Sequence, residues 1–499
     1  MLEENKITEH DFGKLLYTIF KNNWEQIFIF DDICNTSLTY GDFFKRIFQI
    51  KEKILKLQIK KNENICVLMH NSVDLLALYI ATLFLQITII PIDPLRGKSE
   101  ILDILSTTKP KILISNINDF NDFSNKIDLD RTESSNYQDQ IIKNNLELFL
   151  EINFDYGFLT TFTSGSTGIA KGVIHSLNNL IKSSLAFNEK FNFNNERIFL
   201  HNLPMSYMAG ILNSFVLPLV SCSKIVVSER FNISNALKFW EIPKKYSVNS
   251  FWFTPTILGL LLKFDRGDDG ITYANQYSLS GYVVTAPLDK NVKEEFQKKY
   301  KINLYESYGL SETLFVSTNT PSNNSKNVGE LLSGVKLNFE NDEIFINVPW
   351  MFLGYNEMPN NEFFENDYFR SGDLGYLKKN TLTITGRKKD LIIKGGMNIS
   401  PKKLEDFINN LKIFEESVIL GIPDKFMGEK IVCFIIKNNH EKIQDYKKYV
   451  NSKITSDLGR DYHIDEFIEL HEIPKILNGK IDKIKLRKNY EKNHYERNN

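Results

Sequence analysis

Between Phe162 and Val173 the chain reads Phe-Thr-Ser-Gly-Ser-Thr-Gly-Ile-Ala-Lys-Gly-Val. These twelve residues hold three glycines, four hydroxyl side chains and one lysine. Upstream, Phe158 to Phe162 reads as a buried strand, and downstream, His175 to Phe187 reads as a helix. A turn of this composition between strand and helix is suited to cradle phosphate. Gly165 and Gly168 let the backbone take positive φ and approach an anion closely. Consecutive N–H groups in such a turn form an anion-binding concavity. Ser164, Ser166 and Thr167 add donors, and Lys171 adds a point charge. The spacing is not G-x-x-x-x-G-K-[ST], so this is not a Walker A loop. A plain Gly/Ser surface loop is the alternative reading, and the rest of the chain has to decide between them.

The chain has 499 residues, too many for one ordinary core, so two or more domains are expected. Its 61 basic and 62 acidic side chains leave a net charge of -1, which gives no electrostatic reason to bind nucleic acid. The four cysteines, Cys34, Cys66, Cys222 and Cys433, lack zinc-type spacing and fit a reducing, cytoplasmic compartment. The N-terminus has no basic n-region followed by an apolar h-region. The longest apolar run, Leu75 to Leu85, is too short to span a bilayer, which takes ~20 residues. No membrane insertion is expected.

Strand and helix signals alternate through the first half, which argues for parallel α/β sheets. Strands are expected near 28–30, 65–69, 87–92, 111–115, 198–200, 224–227, 251–253, 279–284 and 302–305. Helices are expected near 41–57, 72–85, 101–105, 211–219, from Ala236, and 289–300. Residues 116–145 read as a polar surface excursion. From Asn327 short strands suggest a small β subdomain at 328–386. A mixed α+β pattern follows to the end, so the expected division is 1–388 and 389–499. The Lys/Asn/Glu-rich tail reads as frayed.

Five further segments carry polar residues that a packed core would not choose. In Tyr308-Gly-Leu-Ser-Glu312 an aromatic next to glycine can lie against a planar ring, and Glu312 is a hard oxygen ligand suited to Mg²⁺; a polar surface turn is the alternative. In Tyr368-Phe-Arg-Ser-Gly-Asp-Leu374, Asp373 can accept from two vicinal hydroxyls, or merely cap a turn. Gly386-Arg-Lys-Lys-Asp390 opens a basic stretch that runs through Gly396, either a nucleotide contact or a solvated linker. Gly421 to Glu429 reads as a structural turn. Lys480 follows Asn-Gly, a tight-turn signal, and sits at a tip that could reach across a cleft or simply face water.

Together these segments resemble the adenylate-forming superfamily of acyl-CoA synthetases, firefly-type luciferases and peptide-synthetase adenylation domains. The resemblance runs in order from about Leu38 to Asp482. It implies an α/β fold: a large N-terminal domain of layered sheets with a small β subdomain, and a small mobile C-terminal α+β domain. It also implies site roles. Thr163, Ser164, Gly165, Ser166, Thr167, Gly168 and Lys171 match the loop that handles the β- and γ-phosphates of ATP. Tyr308 matches the residue stacked on adenine, with Ser307 and Gly309 beside it. Ser311 matches the α-phosphate-binding threonine and Glu312 the Mg²⁺ ligand. Asp373 and Arg387 match the ribose ligands, and Lys389 the hinge. Lys480 matches the lysine that bridges acyl carboxylate and α-phosphate. Gly396 matches the glycine past which pantetheine runs.

The implied activity is an acid–thiol ligase: a small or medium carboxylate becomes an acyl-adenylate, then a thioester of coenzyme A. Transfer to the phosphopantetheine of an acyl carrier protein is the nearest rival, and a non-catalytic nucleotide-binding protein on the same fold is the rival of another class. Departures from the pattern fall in the loop and the acyl pocket. Ala170 stands where the family has proline. Tyr207 stands where many acyl-CoA synthetases have histidine. Met208 stands where amino-acid-activating members have aspartate, which argues against an α-amino acid. Val284-Thr285-Ala286-Pro287 replaces the family's G-[GA]-A-P, so the Val284 and Thr285 side chains are expected to narrow the pocket that Tyr207, Met208, Gly210 and Ala286 also line.

Overall fold

The computed structural model describes residues 12–115, 126–127, 139–163, 171–323, 327–356, 361–438, 445–476 and 480–498. The glycine-rich segment 164–170 lies outside them, as do 477–479 and most of the polar excursion.

Local signals set the first elements. Thr39 and Asp42 form a reciprocal capping box that starts the helix Tyr40–Leu55. Its Phe43, Phe44, Ile47, Ile50 and Ile54 fall on one buried stripe. Ser72 caps the helix Val73–Leu85 by accepting from the Leu75 N–H. That helix is apolar on every side and buried along most of its length, as a helix between two layers must be. It holds the long apolar run, and no described helix is long and apolar enough to cross a membrane.

Among the described residues, two large sheets form the body. The first has 14 strands, and its central part is parallel: Ile27–Asp31, Lys224–Val227, Ile198–His201, Ser250–Phe253, Ser280–Val283 and Asn303–Leu310. The strand Asn303–Leu310 changes partners along its length. Up to Glu306 it runs parallel to Ser280–Val283, and from Ser307 it runs antiparallel to Leu314–Thr318. The antiparallel part continues through Glu330–Leu331 to Thr381–Arg387, Tyr368–Lys378, Glu343–Asn347 and Lys336–Glu340. Strands from the 328–386 stretch are thus hydrogen-bonded into the large sheet, and Ile344, Ile346 and Leu382 join the main core. The second sheet has seven strands and includes Asn64–Leu68, Thr88–Pro91, Leu159–Thr163 and Lys171–His175. Residues from Ile392 onward build a third sheet of five strands with its own apolar clusters.

Four expectations change. The glycine-rich segment does not join a strand to a helix. It joins two antiparallel strands, Leu159–Thr163 and Lys171–His175, and the helix begins only at Leu177, capped by Ser176. The strand expected near 302–305 runs on through Tyr308 to Leu310, which confines the turn to 311–313. The stretch at 236–240 is not a helix start: short helices at Ile233–Ala236 and Glu241–Tyr246 flank it. The tail is not frayed from Lys483 onward. It forms the helix Lys483–Asn498, with Leu486 and Tyr490 buried against Val418 and Phe434.

Candidate active site

The hairpin Tyr368–Lys378/Thr381–Arg387 turns through Lys379 and Asn380, both at positive φ (48° and 61°), as a two-residue hairpin loop demands. Its register places Asp373 directly opposite Arg387. Arg387 Nε lies 2.7 Å from Asp373 Oδ1, and the Tyr308 hydroxyl donates to Oδ2 at 2.7 Å. Asp373 is buried, and these two partners satisfy its carboxylate oxygens there. Burial and the Asp373 charge push the Tyr308 phenol far above its usual range, keeping it a donor. Gly309 is required beside it, because a Cβ there would meet the Leu314 carbonyl oxygen at 1.9 Å.

The turn Ser311–Glu312 is held from several sides. The fully buried His175 lies with Nε2 2.6 Å from the Ser311 carbonyl oxygen. A carbonyl only accepts, so that nitrogen carries the proton. Burial pushes the His175 pKa down to about 4, against the pull of this hydrogen bond, so the ring stays neutral. The Phe352 N–H donates to the Glu312 carbonyl at 2.9 Å, and the Tyr355 hydroxyl donates to Glu312 Oε1 at 2.7 Å. Ser307 shares a hydroxyl–hydroxyl hydrogen bond of 2.9 Å with Thr318.

Lys171 leaves the loop with its ammonium 4.5 Å from the Phe363 ring centroid and 5.2 Å from that of Tyr355. The Thr163 hydroxyl faces the Lys171 carbonyl at 3.5 Å, closing the hairpin neck. Ser164, Gly165, Ser166, Thr167 and Gly168 lie outside the described residues.

Lys480 lies 107 residues beyond Asp373 in sequence, yet its ammonium sits in the fields of Arg387, Asp373, Lys389 and Glu312. The side chain keeps solvent-accessible surface, but protein atoms crowd its ammonium enough to desolvate it. That desolvation, then Arg387, lowers its pKa, with Asp373 pulling the other way. The strand pairing between Lys475 and Ile481 and the Ile476 N–H to Lys480 carbonyl bond of 2.8 Å fix the arm that carries it. Lys389 occupies the helical turn Lys388–Asp390 at the start of the third-sheet segment. Burial and Arg387 lower its pKa as well. Gly396, at φ 81°, lies in a turn with open space where a side chain would be.

The expected acyl-pocket residues are divided. The loop Leu203–Met205 is pinned by Asn71, which donates to the Leu203 carbonyl at 2.9 Å and accepts from the Met205 N–H at 3.0 Å. Tyr207 and Met208 are half-buried on the following turn, and Gly210 is buried in a wide-turned helix, Ala209–Val216. The Arg96 guanidinium stands 5.8 Å from the Tyr207 ring centroid and donates to the Phe162 carbonyl at 2.8 Å, linking this turn to the hairpin neck. Val284 packs into the core, whereas Thr285 is exposed at φ 79° and Ala286 is half-buried. Of the pair expected to narrow the pocket, only Val284 is packed inward.

His175, Tyr355, Phe363 and Arg96 carry the site's support and were not legible beforehand. Each acts through a contact to a residue remote in sequence, and none falls in the segments singled out from the sequence.

A lone carboxylate suits Mg²⁺, which is held by one or two carboxylates together with substrate phosphates. Glu312 has one oxygen fixed by Tyr355, so the donor set fits. Among the described residues no three His, Cys, Asp or Glu side chains converge into an all-protein cage.

Known proteins resemble the chain along most of its length. The AMP-binding enzyme family matches residues 22–355. A sulfoacetate–CoA ligase of Cupriavidus necator is 26% identical over 66% of this chain and 66% of its own. A putative acyl–CoA ligase, YdaB of Bacillus subtilis, is 25% identical over 90% of this chain and 94% of its own. The crystal structure of ATP-bound MatB from Rhodopseudomonas palustris superposes with a TM-score of 0.80 at 20% identity, over 96% of this chain and 99% of that one.

Proposed function

The chain belongs to the AMP-binding enzyme family and is an ATP-dependent acyl-CoA ligase; we propose that it acts on a small or medium carboxylic acid and that Glu312, Asp373, Arg387 and Lys480 carry the chemistry. The observation that carries this reading is the convergence of Lys480 with Glu312, Asp373 and Arg387. Three separate stretches of chain supply these groups, which a surface lysine at a hairpin tip would not meet.

In the first half-reaction a carboxylate oxygen of the acid attacks the α-phosphorus of ATP. The bond to the bridging oxygen breaks and pyrophosphate leaves. Both reactants are anions, so the site must offset their repulsion. The Lys480 ammonium does so between acyl carboxylate and α-phosphate, by preorganised charge rather than by proton transfer. Asp373, oriented by Tyr308 and Arg387, accepts from the ribose hydroxyls. Thr163 and Lys171 take the β- and γ-phosphates. Mg²⁺, held at Glu312, would neutralise phosphate charge in this step. In the second half-reaction the thiol sulfur of coenzyme A attacks the acyl carbonyl, AMP leaves, and the thiol proton goes to solvent. We place the mobile division at Lys389, so that the segment with Gly396 replaces Lys480 at the cleft.

The size of the acid is supported by the likeness to a ligase of sulfoacetate, a small acid. None of the four cysteines is disulfide-bonded, in keeping with a cytoplasmic enzyme. ATP–pyrophosphate exchange across a panel of short, long and amino acids tests the proposal. Exchange with short acids is expected. Preference for palmitate or for an α-amino acid would overturn the substrate class, and exchange with no acid would overturn the activity.

A further inference from the structure

Glu312 and Lys171 belong to different sheets, yet one side chain touches both. Tyr355 lies on the two-residue strand Gly354–Tyr355, which pairs with Lys171–His175 and places Tyr355 opposite Val173. The Asn356 N–H donates to the Gly172 carbonyl at 2.7 Å, so this strand also closes the neck of the phosphate hairpin. The Tyr355 ring is wedged between Phe352, at 4.9 Å, and Phe363, at 4.7 Å, both edge-on. Packing leaves the ring little freedom, and its hydroxyl reaches Glu312 Oε1.

We propose that Tyr355 is a positioning residue that holds the Glu312 carboxylate and the Lys171 ammonium in a fixed mutual arrangement, ready for a metal-bound polyphosphate. The proposal rests on the reading of Glu312 as a metal ligand and Lys171 as a phosphate contact. The phenol donates to one carboxylate oxygen, Oε1. A ligating carboxylate that is itself hydrogen-bonded is oriented for its metal, and loss of such an outer partner costs about 10- to 100-fold in metal affinity. The ring face, with that of Phe363, holds the Lys171 ammonium by cation–π attraction. Without phosphate present, the lysine is thereby kept near the hairpin neck instead of sampling solvent.

The two roles separate by substitution. Tyr355→Phe removes the hydroxyl and keeps the ring in its aromatic wedge. Tyr355→Leu removes both. The measurement is Mn²⁺ binding to the enzyme–ATP complex by electron paramagnetic resonance, with metal-free ATP binding by calorimetry and Glu312→Gln as a second variant. For Tyr355→Phe, Mn²⁺ affinity should fall about 10- to 100-fold, while metal-free ATP affinity stays within about twofold. Tyr355→Leu should weaken metal-free ATP as well, through Lys171. Unchanged Mn²⁺ affinity in Tyr355→Phe beside lost affinity in Glu312→Gln would overturn this proposal alone. Unchanged affinity in both would overturn the metal-ligand reading beneath it, and the proposal with it. Equal loss of Mn²⁺ and metal-free ATP binding in Tyr355→Phe would mark a purely structural role and also overturn it.

Discussion

The Asn409 side-chain amide donates to Asp289 Oδ2 at 3.2 Å, and the Asn291 amide donates to the Asn409 carbonyl at 3.2 Å. Asp289 also caps the helix Lys290–Tyr300. Asn409 therefore ties the helix Pro401–Leu411, in the third-sheet segment, to a helix that flanks the large sheet. On the proposed mobile division at Lys389, this contact would favour the arrangement in which Lys480 lies in the field of Glu312.

Asn409→Ala should slow adenylation by about three- to tenfold, the worth of the one hydrogen bond to Asp289 that it removes. Conversion of preformed acyl-AMP to thioester should be unchanged or faster. Single-turnover rates of the two half-reactions check this. An equal slowing of both would mean that the contact supports the fold and not the arrangement.

Lys480→Ala should cost roughly 10²–10³ in adenylation, the range for removing one charge-stabilising donor, and should spare thioester formation from acyl-AMP. The ammonium is the active form, and burial and Arg387 depress its pKa. Adenylation in the parent enzyme should therefore fall as pH rises through a value below that of an ordinary lysine, about 10.4. Lys480→Arg should move that limb to higher pH. A pH–rate profile with no alkaline limb below that value would remove Lys480 from the step.

His175 and His201 are fully buried, with pKa values pushed down by burial to about 4 and about 3. The unfolded chain binds protons at about 6.5, so both folded values lie below the unfolded one. Their contribution to stability is complete above about pH 6.5 and is lost as pH falls through the folded values. Neither ring nitrogen of His201 has a hydrogen-bond partner among the described residues. His201→Leu should therefore flatten the decline of melting temperature between about pH 6 and pH 4. The same slope in parent and variant would sink this account.

Thr285 holds φ 79°, a left-handed value that a β-branched side chain resists. Strain of this kind costs about 1–3 kcal/mol, and glycine gives back about 0.5–1 kcal/mol through the freer unfolded chain. Thr285→Gly should be neutral to stabilising by up to about 2 kcal/mol in a denaturant titration. A clear loss of stability would show that the Thr285 side chain makes a contact worth more than its strain.

The sequence by itself determined what is local. Helix starts at Tyr40 and Val73 follow from Thr39 and Ser72, because a cap is satisfied within three residues. The alternation of strands and helices followed from apolar periodicity, and the short polar segments at 308–312, 368–374 and 386–390 named most of the groups that converge on the site. Tertiary structure alone decided what depends on partners far along the chain. Lys171–His175 is strand and not the end of a turn because Leu159–Thr163 and Gly354–Tyr355 pair with its two edges. His175 reaches Ser311 across 136 positions, and Tyr355 reaches Glu312 across 43. Lys480 enters the fields of Arg387, Asp373 and Glu312 on an arm fixed by the Lys475–Ile481 pairing, far along the chain from all three. The helix from Lys483 carries almost no apolar periodicity, and it is ordered by burying Leu486 and Tyr490 against a sheet formed elsewhere. In each case the deciding energy comes from desolvation and hydrogen bonding between remote segments, which no window of sequence contains.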